Sequence, residues 1–364
     1  MELDQECFGP LWQYVEDDSI TDIDYNGECL WFTNIHNERF QVPRERAPWL
    51  TPAFVERFSQ HIANLISVQF NRLRPELEAE TPNLRVTIIH ENAARSGRCI
   101  SIRKTPPVVR MKAENLLEEG YLEPKILALL INCVRAGLNM TYCGMPGAGK
   151  TECLKFFTSY IPGEDRVITI EDTMEIRYSA TNPGKDCIEL RVDDKVFDYT
   201  AAIKASLRMN PRWIMLSEAR SREVKYLMEA LSTGVRGMTT IHTDHVKNIP
   251  DRILNMMENR LDADRLENDI YRAIDVGLLI RRQKTSDGKS RRILDQLCFF
   301  LREDGENHIH MVVSQGKWNK EPLPEPLLKQ FARAGVADPF RCPVLEEELK
   351  AKGVWERWKE ELEE

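Results

Sequence analysis

The 364-residue sequence contains no run of 18 apolar residues. Its densest apolar stretch, ILALLINCV at 126–134, is too short to cross a bilayer as a helix. It has no C-x-x-C pair, and its nine cysteines are scattered and odd in number. That excludes a zinc ribbon or a thioredoxin-like redox pair and reads as reduced thiols. Positive charge is not in surplus: 50 basic against 58 acidic residues give a formal charge of -8. A dedicated nucleic-acid binder carries a basic face, so no direct, stable nucleic-acid binding is expected. The first twenty residues are acidic and lack the basic-then-apolar layout of a signal peptide. There is no internal repeat and no low-complexity stretch. A cytoplasmic, water-soluble protein of two ordinary-sized domains is the expectation, with 42% apolar residues to build their cores.

Residues 1–103 read as mixed α+β. SITDIDYNGECLWFTN (19–34) alternates around Asn26-Gly27, a hairpin signal. TPAFVERFSQHIANLISVQF (51–70) spaces its apolar residues as a helix, with Thr51 as N-cap and Pro52 in the first turn. NLRVTIIH and RCISIRK follow as strands. Prolines mark 104–112 as a linker. From 113 to 340 strands alternate with helices, the signature of an α/β fold around a parallel sheet. The strands are LNMTYC, RVITIED, WIMLSE and GMTTIHT, with helices expected at 152–160, 199–209 and 222–233, the last stopped by Gly234. A β-hairpin and return strand are expected over 276–313, turning at Asp287-Gly288. Residues 341–364 read as a charged helical tail.

The chemistry starts at GMPGAGKT. Gly144, Gly149, Lys150 and Thr151 fit G-x-x-x-x-G-K-[ST], the loop that wraps nucleotide phosphates in backbone N–H groups. Met145, Pro146, Gly147, Ala148 and Glu152 complete the loop and the start of its helix, whose positive end faces the same anion. Lys150 is expected on the β/γ-phosphates and Thr151 on Mg²⁺. No N-K-x-D motif is present, which favours ATP over GTP. Three clusters then fall at strand ends, where an open α/β sheet gathers its ligands. TIEDTMEI supplies Glu171, Asp172 and Glu175, carboxylates that can hold hydrated metal or orient water. WIMLSEAR ends a buried-looking strand in Glu218, and GMTTIHTDH ends one in His242. His242, Asp244 and His245 have no partner cluster that would make them a metal site.

Taken in order, these four segments resemble the hallmarks of the secretion-ATPase family: the P-loop motors of type II and type IV secretion and of type IV and tight-adherence (Flp) pili. GMPGAGKT matches its Walker A loop, TIEDTMEI its Asp box, IMLSEAR its atypical Walker B and TGVRGMTTIHTDH its His box. TPNLRV, CISIRK and SLRMNP extend the likeness over roughly residues 10–335. The single-motor branch of tight-adherence pili and conjugation machines is nearest, because the long extra N-terminal domains and tetracysteine insert of type II motors are missing. Ser217 stands where the family has glycine, Val235 where it has histidine, and Arg212 where it often has aspartate.

The resemblance implies a PAS-like N-terminal domain and a RecA-like C-terminal domain. It implies a homohexamer docked on an inner-membrane platform protein, cytoplasmic and peripheral to the membrane. ATP and Mg²⁺ are the implied cofactors. Lys150 would bind phosphate, and Thr151 would hold the metal with Glu171, Asp172 and Glu218 nearby. Glu175 or Glu218 would polarise water, and His242 would sense the γ-phosphate. Arg85 and Arg103 would close on the phosphates as the domains swing about the linker. Two alternatives stay open: a DNA-handling RecA-like ATPase, and a ring that binds ATP but turns it over slowly because of Ser217 and Val235.

Overall fold

A computed structural model describes residues 3–193, 195–257, 262–284 and 290–363. The chain divides into two compact units, Met1–Pro107 and Val108–Glu364. The division falls inside the expected 104–112 linker.

The first unit is an antiparallel sheet with helices. Its strands are β1 (Ile20–Tyr25), β2 (Leu30–Asn34), β3 (Arg39–Gln41), β4 (Glu76–Glu80), β5 (Leu84–Ile89) and β6 (Cys99–Lys104). Their spatial order is β3-β2-β1-β6-β5-β4. The β1–β2 turn forms because the Asn26 side-chain oxygen accepts from the backbone of Glu28 and Cys29 at 3.0 and 2.8 Å. Gly27 follows at φ +97°, and a Cβ there would lie 2.2 Å from the Ser96 carbonyl, so only glycine fits.

The helix Pro52–Leu65 starts where the Thr51 hydroxyl accepts from Phe54 N at 3.2 Å. It ends five residues short of the expected 70, and Ser67 sits at φ +55°. Val55, Phe58 and Ile62 give it one buried face against Ile23, Leu77, Val86 and Ile102. β4 was not expected: ELEAE looks like a charged loop, yet Leu77 and Ala79 alternate inward and are buried.

The second unit is built on one nine-stranded sheet: β7 (Met140–Cys143), β8 (Val167–Glu171), β9 (Cys187–Arg191), β10 (Trp213–Leu216), β11 (Arg236–Ile241), β12 (Val276–Lys284), β13 (Ser290–Glu303), β14 (Glu306–Ser314) and β15 (Lys317–Trp318). The order is β15-β14-β13-β12-β7-β11-β10-β8-β9. β12 through β9 are parallel, and β13, β14 and β15 add an antiparallel flap beyond β12. The central strands β7, β8 and β10 are buried along their whole length because both faces of the sheet are covered there. In β10, Trp213 and Met215 join one core, and Ile214 and Leu216 the other. The turn expected at Asp287-Gly288 lies outside the described residues.

Two further helical segments join one of those cores. ILALLINCV forms the helix Pro124–Arg135, buried on all sides in one of those cores. Residues 341–364 are helical, as Pro343–Ala351 and Trp355–Glu363, but they are not a detached tail. Leu345, Leu349, Trp355 and Leu362 are buried in the same core, because their spacing puts them on one stripe under the charged residues. Among the described residues no helix is long and apolar enough to cross a membrane.

Candidate nucleotide site

β7 delivers the chain into a loop that only glycine can make. Gly144, Gly147 and Gly149 have φ of +146°, +73° and +95°, and a Cβ on Gly144 would lie 2.5 Å from the Ile280 carbonyl of β12. The helix Lys150–Thr158 begins immediately after Gly149, so its unpaired N–H groups open toward the loop. Met145 projects at the tip, 65% exposed beside exposed Pro146, while Ala148 is buried beneath it.

Lys150 is buried and turned back on this loop. Its Nζ lies 3.1 Å from Gly144 O, 3.4 Å from Met145 O and 3.2 Å from His242 Nδ1. Burial pulls its pKa down, and the nearby Glu218, Cys143 and Glu175 oppose that. His242 directly follows β11, which lies between β7 and β10, so the parallel register brings it between Lys150 and Glu218. Its Nε2 lies 3.0 Å from Glu218 Oε1. Its Nδ1 also lies 3.3 Å from Gly144 O, so Nδ1 faces the Lys150 amine and a loop carbonyl while Nε2 faces the carboxylate. Glu218 Oε2 pairs with Arg220 at 2.9 Å, and Arg220 also pairs with Asp172 Oδ2 at 2.7 Å. Thr151 Oγ1 donates to Glu175 Oε2 at 3.2 Å.

The structure therefore brings Lys150, Thr151, Asp172, Glu175, Glu218 and His242 around one loop. Glu171, expected at the metal, is placed differently. Its side chain is fully buried, and Oε1 accepts from the backbone of Glu175 and Ile176 at 3.0 and 2.9 Å. It holds the loop that carries Glu175, and burial pushes its pKa up to about 8. Glu152 pairs with buried Lys155 at 3.1 Å. Arg85 and Arg103 lie in the first unit as cross-strand partners of β5 and β6, hence on one face of that sheet. Each has an acid, Glu78 at 3.0 Å and Asp22 at 2.9 Å respectively.

Three site residues escaped sequence reasoning. Arg220 clamps two acids, and only its place two residues past Glu218 hinted at it. Buried Glu223 accepts from the backbone of Arg220 and Ser221 at 2.6 and 2.8 Å, shaping the loop after β10. Arg292, on β13, reaches the phosphate loop: a Cβ on Gly149 would meet its Cδ at 3.1 Å. Burial lowers the pKa of that guanidinium. No spacing rule in the sequence points from β13 back to residue 149.

The family model described as "Type II/IV secretion system protein" matches residues 69–318, well over half of the chain and reaching into both units. The chain belongs to the type II/IV secretion system protein family. This secretion-family chain is 28% identical over 278 residues to an uncharacterized protein of Bacillus anthracis, covering 75% of this chain and 62% of that one. It is 28% identical over 174 residues to the type IV secretion system protein PtlH of Bordetella pertussis, covering 44% of this chain and 50% of that one. It thus spans less than two thirds of the length of either relative. The solved structure of the ATPase DotB of Yersinia pseudotuberculosis superposes with a TM-score of 0.61 at 14% identity, covering 80% of this chain and 78% of that one. The likeness is one of fold, and the second unit has the RecA-like architecture of the secretion family.

Proposed function

We propose that this chain is an ATP-hydrolysing motor of a secretion, pilus or conjugation machine. The observation that carries the reading is the convergence of Lys150, Thr151, Glu175, Glu218 and His242 on one glycine loop through contacts of 3.0–3.4 Å. Family membership supports it, as does the likeness to PtlH, a type IV secretion system protein.

The site residues suit a magnesium nucleotide. Mg²⁺ keeps most of its waters and takes one or two protein oxygens plus phosphate, so it needs no all-protein cage. Thr151 Oγ1 and Glu175 Oε2 are such a pair of hard donors, and among the described residues no group of three His, Cys, Asp or Glu forms a cage. Bound there, Mg²⁺ would neutralise charge on the β- and γ-phosphate oxygens.

The chain's own groups do the rest. Lys150 exchanges the loop carbonyls for phosphate oxygens. Glu218, oriented by Arg220 and His242, or Glu175, oriented by Thr151, positions the attacking water. His242, bonded to both Lys150 and Glu218, reports phosphate occupancy from one to the other. As a homohexamer on an inner-membrane platform protein at the cytoplasmic face, this cycle would move cargo.

The test is Mg²⁺-dependent phosphate release, with solution mass measured by light scattering with and without Mg-ATP. Hydrolysis with a species of six protomers is expected. ATP binding without turnover would make the chain a regulatory ring, DNA-stimulated turnover would make it a DNA-handling ATPase, and absence of ATP binding would overturn the reading.

A further inference from the structure

The strands that carry Glu218 and His242 at one end carry arginines at the other. Arg212 immediately precedes β10 and Arg236 opens β11. With Arg135 and Arg333, at the ends of the helices Pro124–Arg135 and Glu325–Arg333, they line a cavity of about 510 Å³ floored by Trp213. This volume lies within the range of small-molecule sites.

Four guanidiniums in one cavity repel each other unless something negative joins them. The acids that face them are too few. Asp165 accepts from the Trp213 indole at 3.0 Å and lies 3.8 Å from Arg212. Asp275, behind the wall, accepts from Asn139 N at 2.7 Å and attracts Arg236. Among the described residues, Arg135, Arg236 and Arg333 have no carboxylate within 4 Å. The Nε of Arg236 is buried without a hydrogen-bond partner among them.

The bland role for Arg135 and Arg333 is to cap the last carbonyls of their helices. Those carbonyls are already used. Leu138 N bonds Cys133 O at 2.9 Å, and Val336 N bonds Phe331 O at 3.0 Å, each closing its helix without an arginine. Gly137 completes the cradle: at φ +69°, it is crossed by Arg236, whose Nε a Cβ would meet at 2.9 Å. The island is also local, since the chain as a whole has a charge of -8.

The geometry points to a binding site for a compact phosphate-bearing anion in this cavity, separate from the nucleotide loop and on the opposite edge of the sheet. Guanidinium forks match phosphate oxygens in pairs, which lysines would not do as well. The phosphate is carried either by a free oligophosphate or by an anionic lipid headgroup.

Two probes distinguish these sources: inorganic pyrophosphate in calorimetric titration, and vesicles of phosphatidylglycerol against phosphatidylcholine in cosedimentation. Each is applied to the full chain, to Lys150→Ala and to the Arg212→Gln/Arg333→Gln pair. Lys150→Ala removes the lysine of the phosphate loop but leaves Arg292 and the loop N–H groups, so the arginine pair is also made in the Lys150→Ala background, and the pyrophosphate binding lost between the two reports the cavity. The arginine pair is expected to weaken the cavity interaction by roughly tenfold or more, as the loss of charge-assisted bonds dictates. Pyrophosphate binding without vesicle binding assigns the free anion, and phosphatidylglycerol-dependent binding assigns the lipid. No binding of either probe by Lys150→Ala, or binding that the arginine pair leaves unchanged, overturns the proposal. Circular dichroism checks the fold, and if the double variant does not fold, exposed Arg333→Gln alone carries the test. A failed nucleotide reading shows separately, as loss of ATP binding by the unaltered chain.

Discussion

The two edges of the central sheet are built from the same strands and use charge in opposite ways. At the C-terminal edge the charged groups are linked in a chain: Lys150 meets His242, His242 meets Glu218, and Arg220 joins Glu218 to Asp172. At the N-terminal edge four arginines share a cavity with little acid. Arg212 and Glu218 are six residues apart along one strand, a span of roughly 20 Å. The paired edge is poised to exchange internal partners for substrate, and the unpaired edge waits for an external one.

The largest effect tests the paired edge directly. Glu218→Gln keeps the shape but removes the carboxylate charge, so phosphate release is expected to fall by roughly 10²–10⁴-fold while ATP binding persists. Lys150→Ala should lose both, as nucleotide titration and phosphate release would show. Retained turnover in either variant would break the assignment of that edge.

Arg220→Gln comes next. It frees Glu218 and Asp172 without touching the loop glycines. A drop of about tenfold in kcat with little change in KM is expected, because water positioning rather than binding is disturbed. A KM effect alone would instead make Arg220 a substrate contact.

Glu171→Gln sharpens the picture of a paired edge that holds one acid in reserve. The folded pKa of Glu171, about 8, is above the ordinary value for glutamate, so the folded chain binds a proton that the unfolded chain has lost. Stability is therefore expected to fall as pH rises from about 4.5 toward 8, by up to about 1.4 kcal/mol per pH unit. Urea midpoints at two pH values in that window should show a slope in the native chain and a flatter one in Glu171→Gln. Equal slopes would mean that the carboxyl is ionised in the fold.

The smallest effect belongs to the other edge. Arg212 is well exposed, and its acid lies 3.8 Å away, so Arg212→Gln should move the unfolding free energy by no more than about 0.5 kcal/mol. A larger loss would show that the arginine cavity holds the fold together and is not kept open for a ligand.

Much of the paired edge was legible beforehand. The phosphate loop, Glu218 and His242 each follow an apolar strand in the chain, and a local signal suffices when a strand and the turn after it are contiguous. Glu171 was legible as an acid but not in its orientation, since whether a carboxylate faces solvent or caps two backbone N–H groups is decided by the path of the following loop. β4 and the burial of the helices after 341 escaped notice for a related reason: with so few apolar residues, their buried face shows only once a core is there to receive it. Arg292 and the four cavity arginines come from segments as far apart as 135 and 333.

The sequence alone determined the alternation of strands and helices, the glycines that bend the phosphate loop and the identity of the groups at the strand ends, because period, turn and helix start are properties of neighbouring residues. Only the tertiary structure decided that β11 lies between β7 and β10, which puts His242 between Lys150 and Glu218, and that arginines from four segments share one cavity. Strand order is set by how two cores close over a twisted sheet, a long-range packing outcome that no short window of residues encodes.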